Sequence, residues 1–188
     1  AVLALVFPAV VHVRQRAQQT ACQDNMRQFY QAAIGYSDTN DGRFPQVRES
    51  QPATTAADAL KLAGYLPQGG PLVCPAANPV ETPALTLGSY AYSLGFRDEN
   101  GALCGLDRRP ETTYLPILAD APRRQAGEAF PINHRNGQNV LFAGGNVRFC
   151  TTTTVGVDGD DIFSNARGQV AAGLNLYDTS LGRAEERP

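Results

Sequence analysis

The chain of 188 residues predicts an α+β domain, one long helix packed on a small antiparallel sheet. Three observations lead there. A helical stretch runs to about Tyr36 with Cys22, Met26, Phe29, Ala33 and Tyr36 at steps of four, three, four and three, which places them on one face. The segment Asn133–Phe149, NHRNGQNVLFAGGNVRF, reads as a β-hairpin, with apolar Val140, Leu141 and Phe142, a turn at Ala143-Gly144-Gly145-Asn146, then Val147 and Phe149 alternating with polar residues. Two further runs, LGSYAYSLGF at 87–96 and YLPILA at 114–119, have the composition of strands.

Taken in order, the chain opens on AVLALVFPAVVHV. Thirteen residues make about 20 Å of helix, whereas a bilayer core needs about 20 apolar residues. The segment therefore reads as the end of a longer hydrophobic stretch. Pro8 lacks an amide hydrogen and is expected to kink or open the helix. Helix over residues 1–36 would be a rod of about 55 Å, too long for one small domain to bury. Asp38 to Pro45 is turn-rich and ends it, with Asp38, Asn40 and Asp41 as cap or turn residues. A short helix is expected over Ala56–Ala63 with Gly64 as its stop. Pro67–Pro83 carries five prolines and reads as an extended surface loop around Cys74. Pro116 puts the Tyr114–Ala119 strand at an edge, because proline donates nothing to a ladder. Three to four strands are expected in all. The tail has few core signals, and Ile162, Phe163, Val170, Leu174 and Leu176 can pin it; beyond Gly182 it is expected to be mobile. The resulting division is 1–37 for the helix, 38–150 for the globular head and 151–188 for a C-terminal extension.

Hydrophobic residues make up 43%, enough for a core, and the formal net charge is −2. Lys61 is the sole lysine and no basic run occurs, so no nucleic-acid partner is expected. Cys22, Cys74, Cys104 and Cys150 are dispersed, with no C-x-x-C pair and only two histidines, so zinc-ligand spacing is absent. An even count without such spacing fits two disulfides in an oxidising compartment, with four buried free thiols as the competing account. Three pairings are open; Cys22–Cys74 with Cys104–Cys150 is preferred because the first would clamp the helix to the following loop. Asp158, Asp160 and Asp161, alternating around a glycine, are candidate Ca²⁺ ligands, with a solvated turn as the competing account. No G-x-S-x-G or H-E-x-x-H element is present, so no enzyme is expected. No other cofactor is expected. His12 sits in the apolar helix and is expected at a headgroup-level interface or between helices.

The two ends of the chain resemble a known family. A hydrophobic helix with an internal proline, followed by RQRAQQTACQDNMRQFYQAAIGYSDTNDGRFP, resembles the N-terminal helix of type IV pilins and pseudopilins. The similarity is greatest to a bacterial pilin-like branch that ends in His-x9-Asp-Gly. Cys22-x-x-Asn25, Gly42-Arg43-Phe44-Pro45, Ala63-Gly64-Tyr65-Leu66 and Val73-Cys74-Pro75 match that branch, and His134 stands at the signature spacing from Gly144-Gly145, with Gly144 in place of the Asp. With that Asp replaced, His134 is expected to be structural, bonding a backbone group or a neighbouring chain. The resemblance implies a subunit of a type IV pilus-like filament or secretion pseudopilus. It would be anchored in the inner membrane of a bacterial envelope before assembly, and afterwards packed against copies of itself or other pilin-like subunits, outside the cell or in the periplasm. Leu3, Val6, Phe7, Pro8, Val10, Val11 and Val13 would form the assembly helix, and further apolar residues would precede Ala1. The second reading is a membrane-anchored binding or accessory subunit of another envelope complex.

Overall fold

The computed structural model describes residues 2–69, 72–77, 85–125, 128–131, 133–134 and 136–188. The remainder of the proline-rich loop, at 78–84, lies outside the described residues. Helix α1 (Val2–Asp38) is continuous in its assignment through Pro8. From Cys22 onward one face is buried. Cys22, Met26, Phe29 and Ala33 are fully inaccessible and Tyr36 is half-buried, which is the face the spacing predicts. Residues 10–17, by contrast, are exposed along their whole length. The helix ends where Gly42 N–H reaches back to the Ser37 carbonyl (2.9 Å) and the Asp38 carboxylate pairs with Arg108 (2.7 Å). Helix α2 (Thr54–Leu62) lies against α1 and buries Ala56, Ala57 and Leu60.

Among the described residues nine strands follow: β1 (Tyr90–Ser93), β2 (Phe96–Arg97), β3 (Leu103–Cys104), β4 (Pro116–Asp120), β5 (Pro122–Gln125), β6 (Glu128–Pro131), β7 (Gln138–Phe142), β8 (Val147–Cys150) and β9 (Leu181–Arg183). Five form the main antiparallel sheet in the order β8-β7-β4-β1-β9, and β2–β3 and β5–β6 are separate two-stranded ribbons. Three expectations are corrected here. The strand with Pro116 is central, not at an edge. Pro116 opens β4 where the register with β7 shifts between Pro116 and Leu118, so the missing amide falls at an irregularity in the ladder. The sheet has five strands because the tail supplies β9, whose Gly182 lies opposite Tyr92. Residues beyond Gly182 are also built into the fold: Ala184 is buried, and the Ala184 and Glu186 carbonyls accept from the amides of Thr54 and Ala53 respectively.

The period-two alternation of the strands explains why both sheet faces are apolar. Tyr90 and Tyr92 of β1 and Leu141 of β7 join the cluster containing Met26 and Phe29 of α1. Their neighbours Ala91, Val140 and Phe142 join a second cluster with Ile162, Phe163 and Leu181 from the C-terminal segment. The tail thus takes the place of a second layer. The β7–β8 turn rests on α1. Gly145 has φ +90°, and a Cβ there would come 2.5 Å from the Tyr30 ring. A Cβ at Gly144 would approach the Thr113 carbonyl oxygen to 2.9 Å, so the backbone packs too closely here for the aspartate of the family pattern.

Candidate functional site

Four side chains from four separated segments meet where α1 crosses the sheet: Cys22 of α1, Cys74 of the loop before β1, Asp120 at the end of β4, and His134 before β7. Their ligating atoms all lie within 4.8 Å of one another. Cys22 Sγ–H donates to Asp120 Oδ1 at 2.9 Å and lies 3.2 Å from the Tyr90 hydroxyl. His134 Nε2 is 3.3 Å from Cys74 Sγ and 3.4 Å from Asp120 Oδ2. The first three residues are buried, and only 6% of the His134 side chain is accessible.

Each of the four is held by its surroundings. Cys74 lies in a short segment tied to the helix, where the Val73 and Pro75 carbonyls accept from the Asn25 and Gln18 side chains at 3.0 and 3.1 Å. Its own amide donates to Ser89 Oγ at 2.6 Å. Asp120 is the hub. Besides Cys22 and His134, its oxygens accept from Asn139 N–H (2.7 Å), Asn139 Nδ2 (3.0 Å) and Asn133 Nδ2 (3.2 Å). Asn139 is in turn fixed by Gln23 of α1 at 3.0 Å, and Asn133 also bonds the Ser89 carbonyl at 2.9 Å. The His134 ring meets Phe149 of β8 edge-on, with centroids 6.2 Å apart.

The charges follow from this packing. The neighbouring Cys22 draws the Cys74 thiol down to about 6, against an opposing effect of burial, and His134 reinforces the shift. The shift favours the thiolate form of Cys74. Burial drives the Cys22 thiol far upward, and the negative surroundings of Cys74 and Asp120 add to this. Burial alone would lower His134, but Cys74 and Asp120 outweigh it and raise the imidazole above its ordinary value. Tyr90 is raised by burial, with Cys22 and Asp120 acting in the same direction.

A cysteine beside an imidazole and a carboxylate has the composition of a nucleophilic triad, but not its layout. In a triad the carboxylate orients one ring nitrogen while the other faces the nucleophile. Here the same nitrogen, His134 Nε2, faces both Cys74 and Asp120. The four groups form a cluster instead of a relay, a set of donor types that can hold a metal ion.

The residues singled out in the sequence fare differently. Within the chain the His134 imidazole meets the side chains of Cys74 and Asp120, not a backbone group. The four cysteines are free thiols. Cys22 and Cys74 do adjoin, as the preferred pairing required, but each turns to a polar partner. Cys104 in β3 and Cys150 at the end of β8 belong to different parts of the molecule, Cys150 lying in the tail-side cluster. Asp158, Asp160 and Asp161 sit in a turn. Asp160 Oδ2 accepts the Thr179 amide at 2.7 Å and Asp161 Oδ1 the Phe163 amide at 2.9 Å, so these two carboxylates hold the tail in place. Val10, Val11 and Val13 are exposed on α1, at 59, 39 and 67%. Leu3, Val6, Phe7 and Pro8 lie on its first turns, and their side chains fall outside the described residues. Sequence reasoning missed Asp120 altogether. The signal for the other three members was the resemblance itself, since Cys22-x-x-Asn25, Cys74-Pro75 and His134 are among the motifs that carried it, and they meet here.

No protein-family model, no curated protein and no solved structure matches this chain. No helix among the described residues is long and apolar enough to cross a membrane.

Proposed function

We propose that this chain is a pilin-like structural subunit, part of a type IV pilus-like filament or a secretion pseudopilus of a bacterial envelope, with α1 as the assembly element. The observation that carries the reading is the two-part character of α1. Its second half is built into the head through Cys22, Met26, Phe29 and Ala33, whereas residues 10–17 are exposed, with Val10, Val11 and Val13 uncovered. At 37 residues the helix is about 55 Å long, and the head accounts for little more than half of it. An exposed apolar rod gives neighbouring copies a surface to bury, at about 25 cal/mol per Å². A filament needs a heterologous contact that does not close on itself, and a rod packing against a different surface of the next copy would supply one. The head, with α1 on one face of the sheet and the tail on the other, would face outward. The resemblance of the two ends of the chain to pilins supports the same reading.

The test is charge placed in the rod. Val11→Glu with Val13→Glu leaves the head intact, because substitutions at exposed positions typically change stability by no more than about 0.5 kcal/mol. Filaments sheared from cells producing this variant are expected to be lost, while the protein still accumulates in the membrane fraction. Filaments formed at the normal level by the double variant would contradict the proposal.

A further inference from the structure

We infer that Cys22, Cys74, Asp120 and His134 form a structural binding site for one transition-metal ion, Zn²⁺ in the first instance, which clasps α1 to the sheet. The inference stands independently of the filament reading, and three observations carry it.

The first is the donor set and its spacing. Two sulfurs, one imidazole nitrogen and one carboxylate oxygen are the ligand types zinc takes in tetrahedral sites. Bonds of about 2.0–2.3 Å put neighbouring ligand atoms of a tetrahedron roughly 3.3–3.8 Å apart. The separations of 3.3 Å for His134–Cys74 and 3.4 Å for His134–Asp120 match that edge, and the set as a whole, within 4.8 Å, needs only a small contraction around the ion. Thiolate and imidazole ligands select zinc-like ions over Ca²⁺ or Mg²⁺, which take oxygen.

The second is the outer layer of contacts. Metal-ligating carboxylates are commonly hydrogen-bonded in turn. Asp120 is held by Asn139 through both its amide and its side chain and by Asn133, and Asn139 is anchored to α1 by Gln23. A carboxylate fixed in this way presents its oxygens in one direction without needing an ion to order it. A Cys22–Cys74 disulfide, the simpler use of two adjacent thiols, would employ two of the four groups and give no reason for His134 and Asp120 to share their centre.

The third is access. A cleft of about 540 Å³ runs from His12 and Arg16 of α1 to Asn136, Phe149 and His134. It gives a hydrated ion a route from solvent to the otherwise buried cluster. On binding, Cys22 and Cys74 ligate as thiolates, and any proton they carry passes to solvent. Each ligand comes from a different segment, so the ion would join α1, the loop at Cys74, β4 and the His134 loop at one point. A site of this kind stabilises the folded state in proportion to its occupancy.

The full chain, purified under reducing conditions and freed of metal by chelation, is to be titrated with Zn²⁺ and separately with Co²⁺. The expected results are one equivalent bound, a higher melting temperature with Zn²⁺, and a cobalt spectrum with sulfur-to-metal charge transfer and the intense visible bands of four-coordinate cobalt. Cys74→Ser and His134→Ala are expected to abolish that spectrum, and Cys104→Ser and Cys150→Ser to preserve it. Asn139→Ala, which removes one outer contact of Asp120, is expected to weaken binding about 10- to 100-fold. Should the ligand variants fail to fold, the spectrum of the unaltered chain still decides. Absence of stoichiometric Zn²⁺ binding by the folded, reduced chain would overturn the inference. So would a cobalt spectrum without sulfur bands, or equal loss in the Cys104 and Cys150 variants.

Discussion

Asp120→Ala, measured on reduced, metal-free protein by chemical denaturation, is expected to lower stability by about 3–5 kcal/mol, the range for removing one member of a buried charged network. The carboxylate is 1% accessible, and it is the common acceptor for Asn139 N–H, the Asn139 and Asn133 side chains and Cys22. Its removal leaves buried donors without partners, each costing about 1–3 kcal/mol. It also strands the backbone amide at Asn139, inside the strand next to β4. A loss below about 1 kcal/mol would mean that the donors find water or one another, and that Asp120 is not the hub of the cluster. Making the measurement without metal keeps this outcome separate from the zinc proposal.

Phe29→Ala is expected to cost about 3–5 kcal/mol, the usual range for truncating a buried aromatic ring. Phe29 is fully inaccessible and its ring lies 5.6 Å from that of Tyr92, tilted by 59°. Tyr92 in turn donates its hydroxyl to the Pro45 carbonyl at 2.7 Å, just beyond the end of α1. One ring therefore links helix, sheet and the returning chain. Neighbouring Tyr30, which rests against the Gly145 turn, cannot swing in to fill the space without vacating that turn. A loss under about 1 kcal/mol would show that α1 contributes little to the head and is held mainly by its polar contacts.

The parts of the fold that were legible in the sequence are those governed by local periodicity. The steps between Cys22, Met26, Phe29 and Ala33 marked the buried face of α1, and alternation around Gly144-Gly145 marked the β7–β8 hairpin. Both follow from the pitch of the element alone. Pro116 misled because a rule about ladders was applied without knowing where β4 would be irregular. β9 was missed because Leu-Gly-Arg has no alternation to detect. It is a strand only because β1 offers an open edge and Leu181 has the tail-side cluster to enter. The ribbons β2–β3 and β5–β6 are likewise too short to announce themselves.

The site was legible in its members but not as a site. Ligand motifs are recognised by short spacing, and here the four donors are dispersed at positions 22, 74, 120 and 134, so their relation exists only after the sheet has formed. Asp120 follows a run of apolar residues at the end of β4 and reads as an ordinary strand terminus. Gly144, at the position where the resembled signature has Asp, pointed away from any carboxylate partner for His134, whereas β4 delivers one from fourteen residues upstream. Local sequence could not have supplied that contact.

If the exposed half of α1 is an assembly surface, imaging will show it covered. Electron microscopy of native, sheared cell-surface material, with density traced for this chain, should show filaments. Their core would be a bundle of α1 helices, with residues 10–17 covered by neighbouring copies and the sheet and tail facing out. Density in which the chain occurs singly, attached to a membrane or to a different complex with residues 10–17 uncovered, would contradict it.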